Sequence, residues 1–313
     1  MEKSSKIYVA GHAGLVGSAI VQALEKEGFC NLIVYPHENN DLTIRSVVDR
    51  IFNADNPEYV FLAAAKVGGL GANMTFPGEF IRDNLLIQLN IMEAARLLGV
   101  KKLLFLGSSC IYPKECPQPI KEEYLMTSVL EPTNIAYAIA KIAGIEMCKA
   151  YRKQWGCNFI SVMPSNLYGE NDNFNLENSH VLSAMIRKFH DAKIIGTKEV
   201  RLWGDGTPKR EFLYVDDLAT ALLFLMNNYN SADHINVGTG DDISIGNLAS
   251  MIKNIVGYEG EIIWDTSVPN GTPRKLLDIS KLNEIGWKHK ISLEEGVRKT
   301  YSWFVDNYKT IRK

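Results

Sequence analysis

The chain has 313 residues, of which 46% are hydrophobic and 22% are charged, and its formal net charge is −2. This composition is typical of a globular protein with one large or two moderate cores. The near-neutral charge argues against binding of nucleic acid or an acidic membrane through an overall positive electrostatic field. The chain opens without a charged-then-apolar leader, and no apolar run approaches the ~20 residues of a membrane span, so we expect a cytoplasmic protein with no membrane partner.

A short apolar strand leads directly into three glycines near the N-terminus. Residues 6–10 read Lys-Ile-Tyr-Val-Ala, and Gly11, Gly14 and Gly17 follow at three-residue spacing. Where a strand turns into a helix, such glycines permit a tight turn, let a pyrophosphate approach the backbone, and allow the helix to pack closely. The apolar-periodic segment 15–24 continues as a helix. The pattern therefore predicts dinucleotide binding, with a plain glycine-rich turn as the alternative.

Strand and helix patterns then alternate through the first half of the chain. Strands are predicted at 32–35, 59–63, 103–107 and 159–163, separated by helices at 43–54, 77–99 and 133–155. This alternation predicts an α/β protein with a Rossmann-type, doubly wound parallel sheet.

The second half is less regular and predicts a smaller α/β lobe. Turn-rich stretches occur at 169–178 and 270–273, a helix is predicted at 215–228, a strand at 234–237, and further helices near 245–256 and 292–308. The chain is expected to return to the sheet around 211–240. We therefore predict one domain of residues 1–165 plus about 211–240, and a substrate-binding lobe of about 166–210 and 241–313.

The predicted strand at 103–107 is followed by small hydroxyl residues, Ser108 and Ser109, and then by Cys110. Open α/β sheets bind ligands at the carboxyl ends of their strands, where a serine can hydrogen-bond a substrate carbonyl and stabilise a developing oxyanion. A turn cap is the alternative. The cysteines form an odd set without metal-ligand spacing, which argues against a disulfide framework or a metal site: Cys30, Cys110, Cys116, Cys148 and Cys157.

Tyr137 and Lys141 lie four residues apart in a predicted helix, so that both polar groups share one face. A phenol has a pKa of about 10, and an adjacent ammonium lowers that pKa. Tyr137 can then protonate a carbonyl oxygen as a hydride reaches the carbon. The alternative is an ordinary helix with a half-buried tyrosine and a solvated lysine.

The glycine loop, the Ser-Ser strand end and Tyr-x-x-x-Lys occur in the order and at the separations of the extended short-chain dehydrogenase/reductase family, which the chain resembles over nearly its whole length. Within that family it is similar to enzymes of GDP-4-keto-6-deoxy sugars, in segments such as Ala-Ala-Lys-Val-Gly-Gly, Pro-Ser-Asn-Leu-Tyr-Gly and Gly-Thr-Pro-Arg-Lys-Leu-Leu-Asp. The resemblance implies that the larger domain binds NADP and that the smaller lobe binds the nucleotide sugar.

The activity implied by this resemblance is that of an epimerase/reductase. It would epimerise C3 and C5 of GDP-4-keto-6-deoxy-D-mannose and then reduce the C4 ketone to give GDP-L-fucose. The alternative is a C4 reductase of a related GDP-4-keto-6-deoxy sugar such as a heptose, with or without epimerase activity. A less favoured alternative is an NAD-dependent nucleotide-sugar epimerase without net reduction. Ser109 and Cys110 stand where a dehydratase usually has an Asp-Glu pair, which disfavours dehydration.

The resemblance also implies roles for individual residues. Ser108, Tyr137 and Lys141 would carry out the reduction, and Cys110 and His180 would be the acid and base of epimerisation. Thiol and imidazole suit proton transfer beside a ketone because their pKa values lie within about two units of neutrality. Taken alone, a buried structural cysteine and a surface histidine are the commoner interpretations. The implied cofactor contacts are Gly11, Gly14, Leu15, Val16, Gly17, His37, Asp41, Leu42, Ala64, Ala65, Lys141, Pro164, Asn166, Leu167 and His180, and the implied substrate contacts are Ser109, Asn166, Lys188, Trp203, Arg210 and Asn270.

Three positions depart from the family pattern. The family usually has Asp before Gly-Thr-Pro-Arg-Lys, where this chain has Asn270, and it has arginines where this chain has Ala13 and His37. Neither of the last two introduces an acidic residue for a ribose hydroxyl. The resemblance implies NADPH as the cofactor, and NADH is the alternative. Family members are usually homodimers that pair the helices containing 84–98 and 137–151, and we expect the same here.

Overall fold

Strands and helices alternate along the described residues, 1–268 and 270–311, of this computed structural model. The strands are β1 (Ile7–Ala10), β2 (Leu32–Ile33), β3 (Tyr59–Leu62), β4 (Lys102–Leu106), β5 (Phe159–Pro164), β6 (Asn166–Tyr168), β7 (Glu199–Trp203), β8 (Lys209–Arg210), β9 (Phe212–Tyr214), β10 (Ile235–Val237), β11 (Ile243–Ser244), β12 (Glu261–Asp265) and β13 (Arg274–Lys275). The helices are α1 (Leu15–Lys26), α2 (Arg45–Asp55), α3 (Leu70–Thr75), α4 (Pro77–Leu97), α5 (Ile135–Trp155), α6 (Val181–Ile195), α7 (Val215–Asn228), α8 (Ile245–Val256), α9 (Ser280–Glu284) and α10 (Leu293–Asn307).

The central sheet has six parallel strands in the order β10-β5-β4-β3-β1-β2. The order reverses at β1, because the chain builds outward to β2 and then crosses back to β3 on the other side. Such a reversal opens a crevice at the carboxyl ends of the strands, where doubly wound sheets bind their ligands. The predicted Rossmann-type fold is confirmed.

Helices cover both faces of this sheet and explain why its strands are almost continuously apolar. Alternate β1 side chains enter two different cores. Ile7 and Val9 pack with helices α1 and α7, whereas Tyr8 and Ala10 pack with α2, α4 and α5. All four side chains are buried. The carboxyl edge of the sheet is therefore held rigidly between two helical layers.

A third apolar core lies in the second half of the chain and contains residues of α6, α8 and α10. Short strand pairs surround it: β6 with β9, β7 with β12, and β8 with both β11 and β13. Within the predicted lobe, however, Leu282 and Trp287 pack into the core shared by α1 and α7. The division into two domains stays a prediction.

The structure differs locally from the sequence-based predictions. The second strand is shorter than predicted, since β2 ends at Ile33 and Pro36, which has no backbone N–H, soon follows. Helix α6 was not predicted, although it has fifteen residues. Its buried apolar positions recur at helical spacing and are Leu182, Met185, Ile186, Phe189 and Ala192.

No helix in the described ranges is long and apolar enough to cross a membrane.

Candidate active site

The glycine loop has the shape that a bound pyrophosphate requires. Gly11 has a φ of +86°, and a Cβ there would lie 2.7 Å from the backbone of Ala64, at the end of the neighbouring strand. A Cβ at Gly17 would lie 2.0 Å from the Gly11 carbonyl oxygen. At Gly14 the nearest atom to a Cβ would be 3.5 Å away, so this glycine leaves space. Gly14 also precedes α1, whose first turn has no side-chain cap and can bind an anion.

Most of the other predicted cofactor residues follow or end β2, β3 and β5, whose carboxyl ends share one edge of the parallel sheet. The exceptions are Lys141, which lies in α5, and His180, which directly precedes α6. His37 is exposed in a 3₁₀ turn, and no acidic residue lies between it and β2. The Asp41 carboxylate accepts hydrogen bonds from the N–H and hydroxyl of Thr43, at 2.9 and 2.7 Å. This edge therefore offers an anion-binding helix end and no carboxylate directly after β2.

Lys141 is placed by close packing of α5 on β4. Its Nζ donates to the Leu106 carbonyl oxygen at 2.8 Å and lies 5.7 Å from the centre of the Tyr137 ring. A Cβ at Gly144, one turn further along α5, would lie 2.3 Å from the Phe105 ring, so only glycine allows this approach. Burial lowers the pKa of Lys141 to about 8, so its ammonium is the major form at neutral pH.

The pKa of Tyr137 changes in the direction opposite to the prediction. Burial raises it above the ordinary value, and the nearby Cys110 raises it further, whereas a hydrogen bond with Ser108 lowers it. The net result is a phenol that stays protonated at neutral pH, because burial penalises the charged phenolate. Such a group is a proton donor in its resting state.

Cys110 lies in a 3₁₀ turn shortly after β4. Its backbone N–H donates a hydrogen bond to the Ser108 hydroxyl oxygen, with 3.4 Å between the nitrogen and the oxygen. Burial raises the pKa of its thiol, while Ser108 and the ammonium groups of Lys275 and Lys141 lower it. The structure therefore brings together four of the five predicted catalytic residues: Ser108, Cys110, Tyr137 and Lys141.

His180 approaches from a different element. It is exposed and directly precedes α6, where it occupies the N-cap position. In the described part of the chain, no hydrogen bond or ion pair joins it to Cys110 or Tyr137. The buried Asp172 interacts electrostatically with His180, and the pKa of Asp172 is raised by burial and lowered by His180.

The predicted substrate residues of the second half lie close to one another. The Lys188 Nζ donates to the Arg201 carbonyl oxygen at 3.0 Å and lies 5.7 Å from the centre of the Trp203 ring, which is 59% exposed. The Asn270 side-chain oxygen accepts from the Asp205 N–H at 3.0 Å. Arg210 lies on β8, and burial lowers its pKa as it does that of Lys188.

Lys275 connects the predicted substrate residue Arg210 with the predicted catalytic residue Cys110, and the sequence analysis assigns it no role. It pairs in register with Arg210 across β8 and β13, and its ammonium interacts electrostatically with Cys110. Its position in the Gly-Thr-Pro-Arg-Lys segment, which carries the family resemblance, was the sequence signal that could have identified it. Because Lys275 and Cys110 are far apart in the chain, local spacing could not join them.

The model of the NAD dependent epimerase/dehydratase family matches residues 7–238. The chain belongs to this family. The predicted resemblance to the extended short-chain dehydrogenase/reductases is thereby confirmed, and the matched range contains the glycine loop, the Ser-Ser strand end and the Tyr137–Lys141 pair.

Similar members of the epimerase family act on GDP-sugars. The chain is 57% identical over 307 residues to the putative GDP-L-fucose synthase 2 of Arabidopsis thaliana, covering 98% of this chain and 94% of that protein. A GDP-L-fucose synthetase from Naegleria fowleri, solved with NADP bound, superposes with a TM-score of 0.94 at 33% identity, covering 100% of this chain and 96% of the other.

Another similar solved structure has the alternative activity in its name. A GDP-6-OMe-4-keto-L-xylo-heptose reductase from C. jejuni superposes with a TM-score of 0.94 at 39% identity, covering 98% of this chain and 99% of the other. The two structures fit the fold equally well, so the fold by itself does not separate the two activities.

Proposed function

We propose that the protein is an NADPH-dependent epimerase/reductase that converts GDP-4-keto-6-deoxy-D-mannose to GDP-L-fucose. One observation carries the proposal: Ser108, Cys110, Tyr137 and Lys141 meet at the end of β4, on the sheet edge that also carries the glycine loop. The 57% identity to a putative GDP-L-fucose synthase supports the substrate.

The chain's residues fit a dinucleotide cofactor. The approach of Gly11 to Ala64, the space at Gly14 and the uncapped start of α1 would hold the pyrophosphate. The remaining predicted contacts would line the same sheet edge, from His37 and Asp41 to Asn166 and Leu167. When bound, NADPH supplies the hydride that reduces the C4 ketone.

Reduction uses groups that are already in the right protonation state. The neutral Tyr137 phenol donates its proton to the C4 oxygen, while the Ser108 hydroxyl hydrogen-bonds the same oxygen and stabilises its developing charge. The Lys141 ammonium, 5.7 Å from the Tyr137 ring, stabilises the phenolate that remains.

Epimerisation requires an acid and a base beside the ketone. The base takes the proton from C3 or C5, the electron pair of that C–H bond enters an enolate, and the acid returns a proton to the opposite face of the same carbon. His180 serves its role from the N-cap position before α6, and Cys110 from the turn after β4. The Lys275 ammonium stabilises the Cys110 thiolate when the thiol has given up its proton.

The GDP group is bound by the residues around β7 and β8. Arg210 and Lys188 would neutralise the diphosphate, and the exposed ring of Trp203 offers a face for stacking. Asn270 already accepts the Asp205 N–H, so it orders the loop after Trp203 without adding charge. Ser109 and Asn166 would contact the sugar.

The substitution His37→Arg is expected to strengthen NADPH binding by about tenfold relative to NADH. His37 is exposed beyond β2, and a guanidinium there can form charge-assisted hydrogen bonds with the 2′-phosphate that NADH lacks. Titration of each cofactor by fluorescence measures the ratio of the two affinities. An unchanged ratio would place the 2′-phosphate elsewhere.

We also propose a homodimer formed through α4 and α5. These helices pack side by side, and their outer faces expose Leu86, Leu89 and Ile139. Apolar side chains in such a row are typical of a surface that is covered in an assembly. Leu89→Glu is expected to shift the protein toward the monomer in sedimentation velocity; a monomeric wild type would refute the proposal.

One assay separates the proposed activity from its alternative. NADPH consumption is measured with GDP-4-keto-6-deoxymannose and with its heptose counterpart, and the products are identified by NMR. The proposal predicts faster turnover of the hexose and inversion at C3 and C5. Preference for the heptose would favour the activity of the C. jejuni neighbour.

A further inference from the structure

The backbone directly before His180 packs against a glycine at the start of α3. The Gly69 N–H donates to the Asn178 carbonyl oxygen at 2.8 Å. Gly69 is buried, and a Cβ there would lie 2.6 Å from the Ser179 carbonyl oxygen, a distance that real Cβ atoms do not adopt. The contact therefore requires glycine, even though the φ of this residue, −64°, is accessible to any amino acid.

Gly69 is itself held in place. The buried Asn73 side-chain amide donates to the carbonyl oxygens of Gly68 and Gly69, at 2.9 and 3.0 Å. Because two hydrogen bonds from one amide fix both peptide groups, Gly69 offers a rigid surface to residues 178 and 179.

The backbone directly after His180 is anchored by Asp172. This buried carboxylate accepts a hydrogen bond from the hydroxyl of Ser183, which lies in the first turn of α6, three residues beyond His180. The other carboxylate oxygen accepts the Asn173 N–H at 2.7 Å. The Asp172 carboxylate also interacts electrostatically with His180.

We propose that Gly69 and Asp172 are positioning residues that fix the backbone on either side of His180. The inference rests on the proposed function, in which His180 transfers protons at the sugar. Since the His180 side chain is exposed, packing of the ring itself does not hold it, and its placement depends on the backbone. Proton transfer is sensitive to displacements of a few tenths of an ångström, so contacts outside the site control the rate.

The first test is Gly69→Ala, with Gly78→Ala as the matched control. A Cβ at Gly78 would have no atom within 4 Å, so the control adds the same methyl group without a clash. Solvent deuterium incorporation at C3 and C5 is measured by NMR at saturating GDP-sugar. We expect Gly69→Ala to slow incorporation about 10- to 100-fold with GDP affinity unchanged, and Gly78→Ala to match the wild type. Wild-type incorporation in Gly69→Ala would overturn its role.

The second test compares Asp172→Ala with Asp172→Asn. An asparagine can keep both hydrogen bonds, because its oxygen accepts the Asn173 N–H and its amide donates to the Ser183 hydroxyl. We expect Asp172→Ala to slow deuterium incorporation at least about tenfold and Asp172→Asn to restore most of the rate. Wild-type incorporation in Asp172→Ala, or an Asp172→Asn variant as slow as Asp172→Ala, would overturn the anchoring role. This pair remains informative if Gly69→Ala fails to fold.

His180→Gln separates failure of this inference from failure of the proposed function. In one outcome, the wild type, Gly69→Ala and Asp172→Ala all incorporate deuterium at the same rate, whereas His180→Gln incorporates none. That outcome refutes only the positioning roles. If the wild type incorporates none, the epimerase activity is refuted and the positioning roles with it.

Discussion

Tyr137→Phe is expected to lower the rate of C4 reduction by at least ~10²-fold, which is the scale of general acid catalysis. The change removes only the hydroxyl that we propose protonates the ketone oxygen. The ring remains and can keep its edge-on contact with Phe80, at 6.2 Å between ring centres. Binding of the GDP-sugar should therefore change little, so the loss should appear in kcat rather than in substrate affinity.

Single-turnover NADPH oxidation measures this rate, and isothermal titration with GDP measures binding. Tyr151→Phe is a suitable control, because it removes a hydroxyl from the same helix α5 where that hydroxyl donates to Glu93 at 3.0 Å. Turnover near the wild-type rate in Tyr137→Phe would show that another group protonates the ketone.

Cys110→Ser and His180→Gln are expected to slow solvent deuterium incorporation at C3 and C5 by about 10²-fold or more, since each removes one of the two proposed proton-transfer groups. A serine hydroxyl is a far weaker acid than a thiol, and a glutamine amide does not accept a proton near neutral pH. The Tyr137–Lys141 pair stays intact in both variants. Reduction should therefore continue, and the product should shift toward the sugar that has not been inverted.

The position of each deuterium also tells which residue serves which carbon. Cys30→Ser provides the control, because Cys30 is exposed and belongs to no part of the proposed site. A wild type that incorporates no deuterium would be a C4 reductase alone. The GDP-L-fucose assignment would then give way to a relative that receives its substrate from a separate epimerase.

Residues that are close together in the sequence determine those features of this protein that depend on local backbone geometry. Gly11, Gly14 and Gly17 follow a strand and start a helix, and their spacing dictates where a backbone can turn and an anion can approach. Tyr137 and Lys141 share a helix face because of the helical period alone. The alternation of apolar strands and helices likewise determined the parallel sheet.

Only the tertiary structure determines the protonation states of the site residues and the contacts that position them. Burial reversed the predicted direction of the Tyr137 pKa, and burial depends on packing that no local pattern encodes. Lys275 reaches Cys110, and Gly69 reaches the backbone before His180, through contacts between segments that are distant in the chain. The spacing of residues along a chain determines local conformation, whereas distances between separate elements follow from how those elements pack.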